Sequence, residues 1–386
     1  MKVLHVVGAR PNFMKTAPIM TAMARRPDRF EQLLVHTGQH YDDEMSAVFF
    51  RDLDLPQPDR YLEVGSGSHA QQTARVMTAF EPVVEAWQPD WVLVVGDVNS
   101  TLACTLVCAK LGVRVAHVEA GLRSGDRSMP EEINRLVTDQ LADLLFTPSR
   151  DADENLLGEG IAPEKIRFVG NVMIDTLAAN LAKAQTRPIV RQLGLAAGAY
   201  ALVTLHRPAN VDDRGDLEEI LQALRSLADQ VPVVFPLHPR TRQSMGPATA
   251  ADLAAKVTLL EPLGYLDFVA LLASAGVVIT DSGGVQEEST YLGVPCLTVR
   301  PNTERPVTLT RGTNQLVPRS RTAIVAAALD ALAATPHTAA GAPGVTRAAG
   351  KPVAAAPSDP TAARTLPDLW DGHAAERIVQ VLLDEA

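Results

Sequence analysis

Short runs of consecutive apolar residues alternate with stretches in which apolar positions recur every three to four residues, from one end of the chain to the other. Runs such as Trp91-Val92-Leu93-Val94-Val95 and Val277-Val278-Ile279 are apolar at every position and too short for a helix. That is the signature of a strand buried on both faces. The strands predicted in this way are Val3–Gly8, Gln32–Thr37, Trp91–Gly96, Arg114–Glu119, Leu144–Thr147 and Ile166–Gly170. A second series comprises Tyr200–Leu205, Pro232–Leu237, Val257–Leu260, Gly276–Thr280 and Pro295–Val299. Helical periodicity fills nearly every gap between them, which predicts parallel sheets with helices on both faces. The two series part near Gly170–Gly194, where the break at Thr186-Arg187-Pro188 marks a connection. The expected fold is therefore α/β, two doubly wound Rossmann-like domains (1–170 and 171–334) facing each other across a cleft. From 335 to 367, Ala, Pro, Gly and Thr crowd out large apolar residues, so this segment is expected to be a flexible loop or linker. Helical periodicity returns at Ala374–Leu383.

Composition narrows the function classes. A chain of 386 residues accommodates two domains comfortably. Its net charge of −10 argues against a nucleic-acid partner, which requires clustered Lys and Arg. Cys104, Cys108 and Cys296 form no CxxC pattern, so they read as small buried hydrophobes, and no metal site is expected. Met1–Gly8 reads as a strand and not as a signal peptide. No apolar run approaches the roughly 20 residues of a membrane span, so no membrane insertion and a cytoplasmic location are expected.

In doubly wound sheets ligands bind beyond the carboxyl ends of the strands, and polar residues cluster there. Thr280-Asp281-Ser282-Gly283-Gly284-Val285-Gln286-Glu287-Glu288 passes from a buried strand through a turn of small residues into an amphipathic segment. Such a junction aims open backbone N–H groups and a helix dipole at one point, which suits a phosphate. Arg10 and Lys15 flank the junction after the first strand, either as cations for a pyrophosphate or as solvated charges at a helix start. Asp97 ends the Trp91 strand, where it is either the N-cap of the helix Asn99–Leu111 or an acid or base facing the cleft. Glu119 ends the next strand, and Glu131, with Asn134 and Arg135 behind it, opens a helix after Pro130. A Pro followed by acids is also an ordinary helix N-terminus. Three carboxylates on one rim are expected to push each other's pKa values upward and apart. His206 ends a strand of the second series, facing the anion site. Gln39-His40-Tyr41-Asp42 and Gly65–His69 are explained as well by turn chemistry. No segment carries a dinucleotide-binding fingerprint.

In this order the motifs GARPNFMK (8–15), TGQHYD (37–42), GDVNST (96–101), HVEAGLRSGDRSMPEEINR (117–135), TDSGGVQEE (280–288) and TERP (303–306) resemble the non-hydrolysing UDP-N-acetylglucosamine 2-epimerases. The resemblance runs from Met1 to about Gly312 and resumes over Leu369–Leu383. It implies a glycosyltransferase-B-like fold whose C-terminal helix returns to the first domain. It also implies a homodimer without cofactor that inverts C2 of the sugar in UDP-N-acetylglucosamine and supplies precursors of surface polysaccharides. Carried across by motif, Arg10, Lys15, Arg135, His206, Ser282, Gly283, Gly284 and Glu288 would hold UDP, with Phe268 beside the uracil. Asp97, Glu119 and Glu131, with His206, would be catalytic. The C2 proton has no adjacent carbonyl, so direct removal is implausible. Elimination of UDP from C1 followed by re-addition needs carboxylates near C1–C2 and a cationic cradle for the departing UDP. The alternatives are a hydrolysing epimerase, an epimerase of another UDP-2-acetamido sugar, a glycosyltransferase of similar fold, and a nucleotide-sugar binder without activity. Pro208 and Ala209 stand where many relatives carry charged residues. Tyr41-Asp42-Asp43 departs from the segment through which many members are activated by substrate.

Overall fold

The structure is a computed structural model that describes residues 1–38, 56–334 and 366–385. The side chain of Arg10, the motif Gln39–Asp42 and most of the Ala/Pro-rich segment lie outside the described residues. Two parallel sheets form the frame. The first contains β1 (Lys2–Val7), β2 (Glu31–His36), β3 (Arg60–Tyr61), β4 (Trp91–Val95), β5 (Arg114–Val118), β6 (Leu144–Thr147) and β7 (Ile166–Phe168) in the order β3-β2-β1-β4-β5-β6-β7. The second contains β8 (Ala201–Thr204), β9 (Val233–Pro236), β10 (Thr258–Leu260), β11 (Val277–Thr280), β12 (Cys296–Thr298) and β13 (Asn314–Leu316) in the order β10-β9-β8-β11-β12-β13. The apolar runs become strands because both faces are covered: every residue of β4 and of β11 is buried. Helices close both faces of each sheet, with separate apolar clusters on either side. This is the expected α/β, glycosyltransferase-B-like architecture. The three cysteines are buried and free.

Both sheets reverse strand order at one place, between β1 and β4 and between β8 and β11. At such a switch point the helices after the two neighbouring strands lie on opposite faces and leave a crevice. The residues just after β1, β4, β8 and β11 are therefore the ones that line the two crevices. Two strands went unrecognised in the sequence. The edge strands β3 and β13 are two and three residues long and half polar, so they carry no apolar run.

The helix Val172–Gln185 leaves the first sheet and lies between the lobes. Its Leu177 and Ala184 join Val7, Phe13 and Leu34 of one lobe to Tyr265, Leu266 and Val269 of the other. The C-terminal helix Ala374–Asp384 returns to the first lobe. Its buried face of Ala374, Ala375, Ile378, Val379 and Leu382 packs with Val3, Ile19, Trp91 and Phe146. Burying each large aliphatic side chain of that face contributes about 1.5–3 kcal/mol. The side chain of Asp175 accepts the N–H groups of Ala374 (3.1 Å) and Ala375 (2.7 Å), so the outgoing and returning segments are bonded together.

Candidate active site

The first crevice is built by helix starts that interlock. Asn12, in the first turn of the helix Arg10–Ala24, accepts the N–H groups of Gly8 (3.1 Å) and Ala9 (2.9 Å) and donates to the Val95 carbonyl at 2.9 Å. It thereby ties the end of β1 to the end of β4. Gly8 has to be glycine, since a Cβ there would lie 2.4 Å from Ser100 Oγ. One turn further along, Lys15 is buried and forms an ion pair with Glu119 Oε2.

Asp97 does not cap its helix. The helix Asn99–Leu111 starts after Val98 without any side-chain cap. The Asp97 carboxylate instead receives Arg135 Nη1 at 2.5 Å, and its carbonyl receives Asn134 Nδ2 at 2.8 Å. The Arg135 guanidinium also donates from Nε and Nη2 to Glu132 Oε2 at 3.0 and 2.5 Å. Glu132 in turn accepts the N–H groups of Ser124 and Gly125 and so holds the loop after β5. The expected rise in carboxylate pKa does not occur at Asp97. Burial pushes its carboxyl up, but Arg135, with help from Lys15, more than offsets this and holds it below the usual value.

Glu119 follows β5 in a left-handed conformation, φ +71°. Such a conformation in a non-glycine residue costs on the order of 1–3 kcal/mol. It is held by the Glu119 N–H donating to the Phe146 carbonyl at 3.1 Å and by two cations on the carboxylate. Lys15 takes Oε2, and Arg305 Nη2, from the other lobe, takes Oε1 at 2.5 Å. Glu131 is half-buried at the start of the helix Pro130–Leu141, and its carboxylate has no hydrogen bond or ion pair among the described residues. Asp97 is thus paired with Arg135, and Glu119 with Lys15 and Arg305, while the charges of Lys15 and Arg305 also help to lower Asp97. Glu131 lies in the first turn of the helix that carries Arg135 and is unengaged among the described residues.

The second crevice is organised by Asp281, fully buried after β11. Asp281 accepts the backbone N–H groups of His206 (3.0 Å) and Arg207 (2.9 Å), Asn210 Nδ2 (3.1 Å) and His206 Nδ1 (3.0 Å). Burial alone would raise this carboxyl, but His206 and the loop amides hold it below its ordinary value. The His206 ring is thus aimed by a fixed anion, with the His238 ring 5.5 Å away. A cavity of about 230 Å³ opens here, lined among others by His206, His238, Leu263, Phe268, Ser282 and Val285. The helix Gly283–Leu292 begins at Ser282 without a side-chain cap, and Ser282 and Val285 of this first turn line the cavity.

Behind that turn lies an ion-pair hub. Arg305 donates to Glu119 (2.5 Å), Glu287 (2.7 Å) and Glu304 (2.7 Å), and Glu304 also takes Arg207 (2.9 Å) and Arg300 (2.7 Å). Gly283 makes room for it, because a Cβ there would lie 2.3 Å from Arg305 Nη1. Burial, augmented by the Glu119 charge and opposed by Arg305, pushes Glu287 up to about 7. Burial likewise pushes Glu288 up to about 7, and the Tyr265 hydroxyl donates to it at 2.9 Å. Glu288 therefore sits behind the helix turn, next to Tyr265. Beyond Arg305, the lobes are also bridged by Asn302 Nδ2 donating to the Ser124 carbonyl at 3.2 Å. Arg305, Glu287 and Glu304 were not among the residues assigned roles from sequence, although they lie within the TDSGGVQEE and TERP motifs. The available signal was a charged Glu-Arg-Pro placed shortly after an apolar strand.

Comparison with known proteins adds to this geometry. The family model of UDP-N-acetylglucosamine 2-epimerase matches residues 22–383. A UDP-2,3-diacetamido-2,3-dideoxy-D-glucuronate 2-epimerase from Pseudomonas aeruginosa is 44% identical over 339 residues, 87% of this chain and 93% of that one. A UDP-N-acetylglucosamine 2-epimerase from Methanocaldococcus jannaschii is 42% identical over 325 residues, 82% of this chain and 88% of that one. The crystal structure of Methanocaldococcus jannaschii UDP-GlcNAc 2-epimerase in complex with UDP-GlcNAc and UDP superposes with a TM-score of 0.84 at 36% identity, covering 100% of both chains. With a matching family model over most of its length and relatives above 40% identity, this chain belongs to the UDP-N-acetylglucosamine 2-epimerase family.

Proposed function

We propose that the chain interconverts UDP-N-acetylglucosamine and UDP-N-acetylmannosamine without net hydrolysis, by elimination and re-addition of UDP. The observation that carries this reading is the Glu119 carboxylate held between Lys15 of one lobe and Arg305 of the other, with Arg305 packed against Gly283 at the start of the uncapped helix. In the forward step a carboxylate takes the C2 proton, the C–H electrons form a C1–C2 double bond, and the C1–O bond breaks toward UDP. Return of UDP to C1, with a proton delivered to the other face of C2, completes inversion. Lys15, Arg305 and the first-turn amides at Gly283 and Gly284 suit the diphosphate, whose charge rises as it departs. The same two cations would then be shared between Glu119 and the leaving group, so that proton removal and UDP departure are coupled. Asp97 and Glu131 are the other two acid/base groups. His206 and Phe268 line the cavity proposed for the nucleoside, and Glu288 stands behind the turn that grips the phosphates. Arg10 joins the diphosphate side by motif. Arg135, assigned to UDP by motif, also orients Asp97.

The test is incubation with UDP-N-acetylglucosamine in deuterated water, read by proton NMR. Deuterium at C2 of both epimers with UDP staying bound to sugar is the expected result. Free N-acetylmannosamine accumulating with UDP would replace this reading with the hydrolysing one, and absence of C2 exchange would remove epimerisation of this sugar. A second substrate, a UDP-2,3-diacetamido uronate, is favoured by the 44% identity to the Pseudomonas aeruginosa enzyme. The same exchange assay on that sugar, run in parallel, decides between the two by relative kcat/KM.

A further inference from the structure

The helix Pro130–Leu141 reaches the Asp97 turn three times. Arg135 takes the carboxylate and Asn134 the carbonyl. The third contact is indirect. Asp139 Oδ1 meets His117 Nδ1 at 2.6 Å, and His117 Nε2 meets the Gly96 carbonyl at 2.8 Å, with both side chains fully buried. A carbonyl oxygen only accepts, so His117 Nε2 carries a proton. The Asp139 carboxylate also receives Arg123 Nη1 (2.8 Å) and the Gly121 N–H (3.1 Å) on its other oxygen, so it is held from two sides while it meets the ring. Burial pushes the Asp139 carboxyl up, but His117 and Arg123 more than offset this and hold it below its usual value.

Buried ionic and polar groups such as Asp139, Arg123 and His117 add little stability over apolar side chains of the same size, so their use lies in what they orient. Gly96 sits at φ +68°, with its N–H donating to the Val118 carbonyl at 3.1 Å. A glycine in the left-handed region has no side chain to restrict the next peptide plane. The direction of its carbonyl decides where the Asp97 residue begins, and His117 is the side chain that holds that carbonyl.

We propose that His117 is a positioning residue for the reaction: by donating from Nε2 to the Gly96 carbonyl it fixes the Gly96–Asp97 peptide, and through it the Asp97 carboxylate, with Asp139 holding the ring in place. This rests on Asp97 taking part in the C2 chemistry. A misplacement of about 1 Å at a reacting group costs about 10²-fold in rate, which sets the expected scale.

The experiment compares His117→Gln with His117→Asn. The Gln amide nitrogen reaches the place of Nε2 and keeps the donor to Gly96. The Asn amide reaches only the place of Nδ1 and loses it. The Gln variant is expected to hold kcat within about tenfold of the parent, and the Asn variant to lose about 10²-fold. UDP affinity is expected to stay within about twofold in both, because the hydrogen bonds of His117 go to Asp139 and Gly96 and to none of the residues assigned to UDP. In an Asp97→Asn background the difference between the two is expected to vanish, since the group they position is gone. If His117→Asn does not fold, His117→Met, of similar volume and without a donor, takes its place. Equal kcat for the two variants overturns the proposal, as does a loss shared equally by kcat and UDP affinity, or the same ratio in both backgrounds. Wild-type turnover of Asp97→Asn alone would instead remove Asp97 from the chemistry, which is a separate result.

Discussion

Replacing Arg305 with Leu puts the ion-pair hub to a quantitative test. Its guanidinium contacts Glu119, Glu287 and Glu304, and all four side chains are buried. The three acids depend on it unequally. Glu304 retains Arg207 and Arg300, and Glu119 retains Lys15, but Glu287 has no other ion pair among the described residues. Removing one partner of a buried pair costs about 3–5 kcal/mol, because a charge is left without compensation. Glu287 can escape part of that cost by taking up a proton, since burial has already pushed it up to about 7 with Arg305 in place. Without the guanidinium the folded protein holds that proton to higher pH. An unfolded Glu ionises near its usual 4.5. The folded state therefore binds more protons, and stability falls as pH rises through that window. In the wild type the fall is complete near pH 7. In the variant it continues above 7, so the stability gap widens by about 1.4 kcal/mol per pH unit until it reaches the full cost. Urea unfolding of both proteins at about pH 6, 7 and 8 measures this. A deficit that does not change with pH, or one below about 1 kcal/mol at pH 8, would refute the hub as described.

Gly283→Ala is expected to lower turnover by about 10²-fold, because its Cβ would lie 2.3 Å from Arg305 Nη1 and 2.6 Å from Cζ and must displace the guanidinium from Glu119. Steady-state kinetics at wild-type values would show that Arg305 need not lie where it does. Asp175→Asn replaces one of the two oxygens that accept the first two amides of the C-terminal helix and is expected to give faster hydrogen exchange in Ala374–Asp384. Burial pushes the Asp175 carboxyl up to about 6. The wild type therefore loses stability as pH rises from its ordinary 3.8 to about 6, and the Asn variant is expected to lack that slope. Parallel pH–stability curves for the two would contradict it.

The fold was legible where a property is local. β4 and β11 are apolar at every position and buried at every position, so periodicity found them. Strand order is not local, and nothing in the runs themselves says that β1 lies beside β4 or β8 beside β11. The expectation that polar residues gather just after strands compensated for this, because Asp97, Glu119, His206 and Ser282 do follow β4, β5, β8 and β11. What the sequence could not show was which charge answers which. Asp97 was expected to rise and is lowered, because Arg135, 38 residues away, lies against it. Glu119 was expected to face other acids and faces Arg305, 186 residues away. The same matching separates the acids by what they can do. Asp97, Glu119, Glu132 and Glu304 each have a cation to hold their charge in the interior. Glu288 has a tyrosine hydroxyl, and Glu287 shares one guanidinium with two other carboxylates, and these two are pushed up to about 7. The two acids that are pushed up lie on the helix Gly283–Leu292, and the charge-holding Asp97 and Glu119 follow β4 and β5. That division follows from pairing across the fold, and no spacing along the chain encodes it.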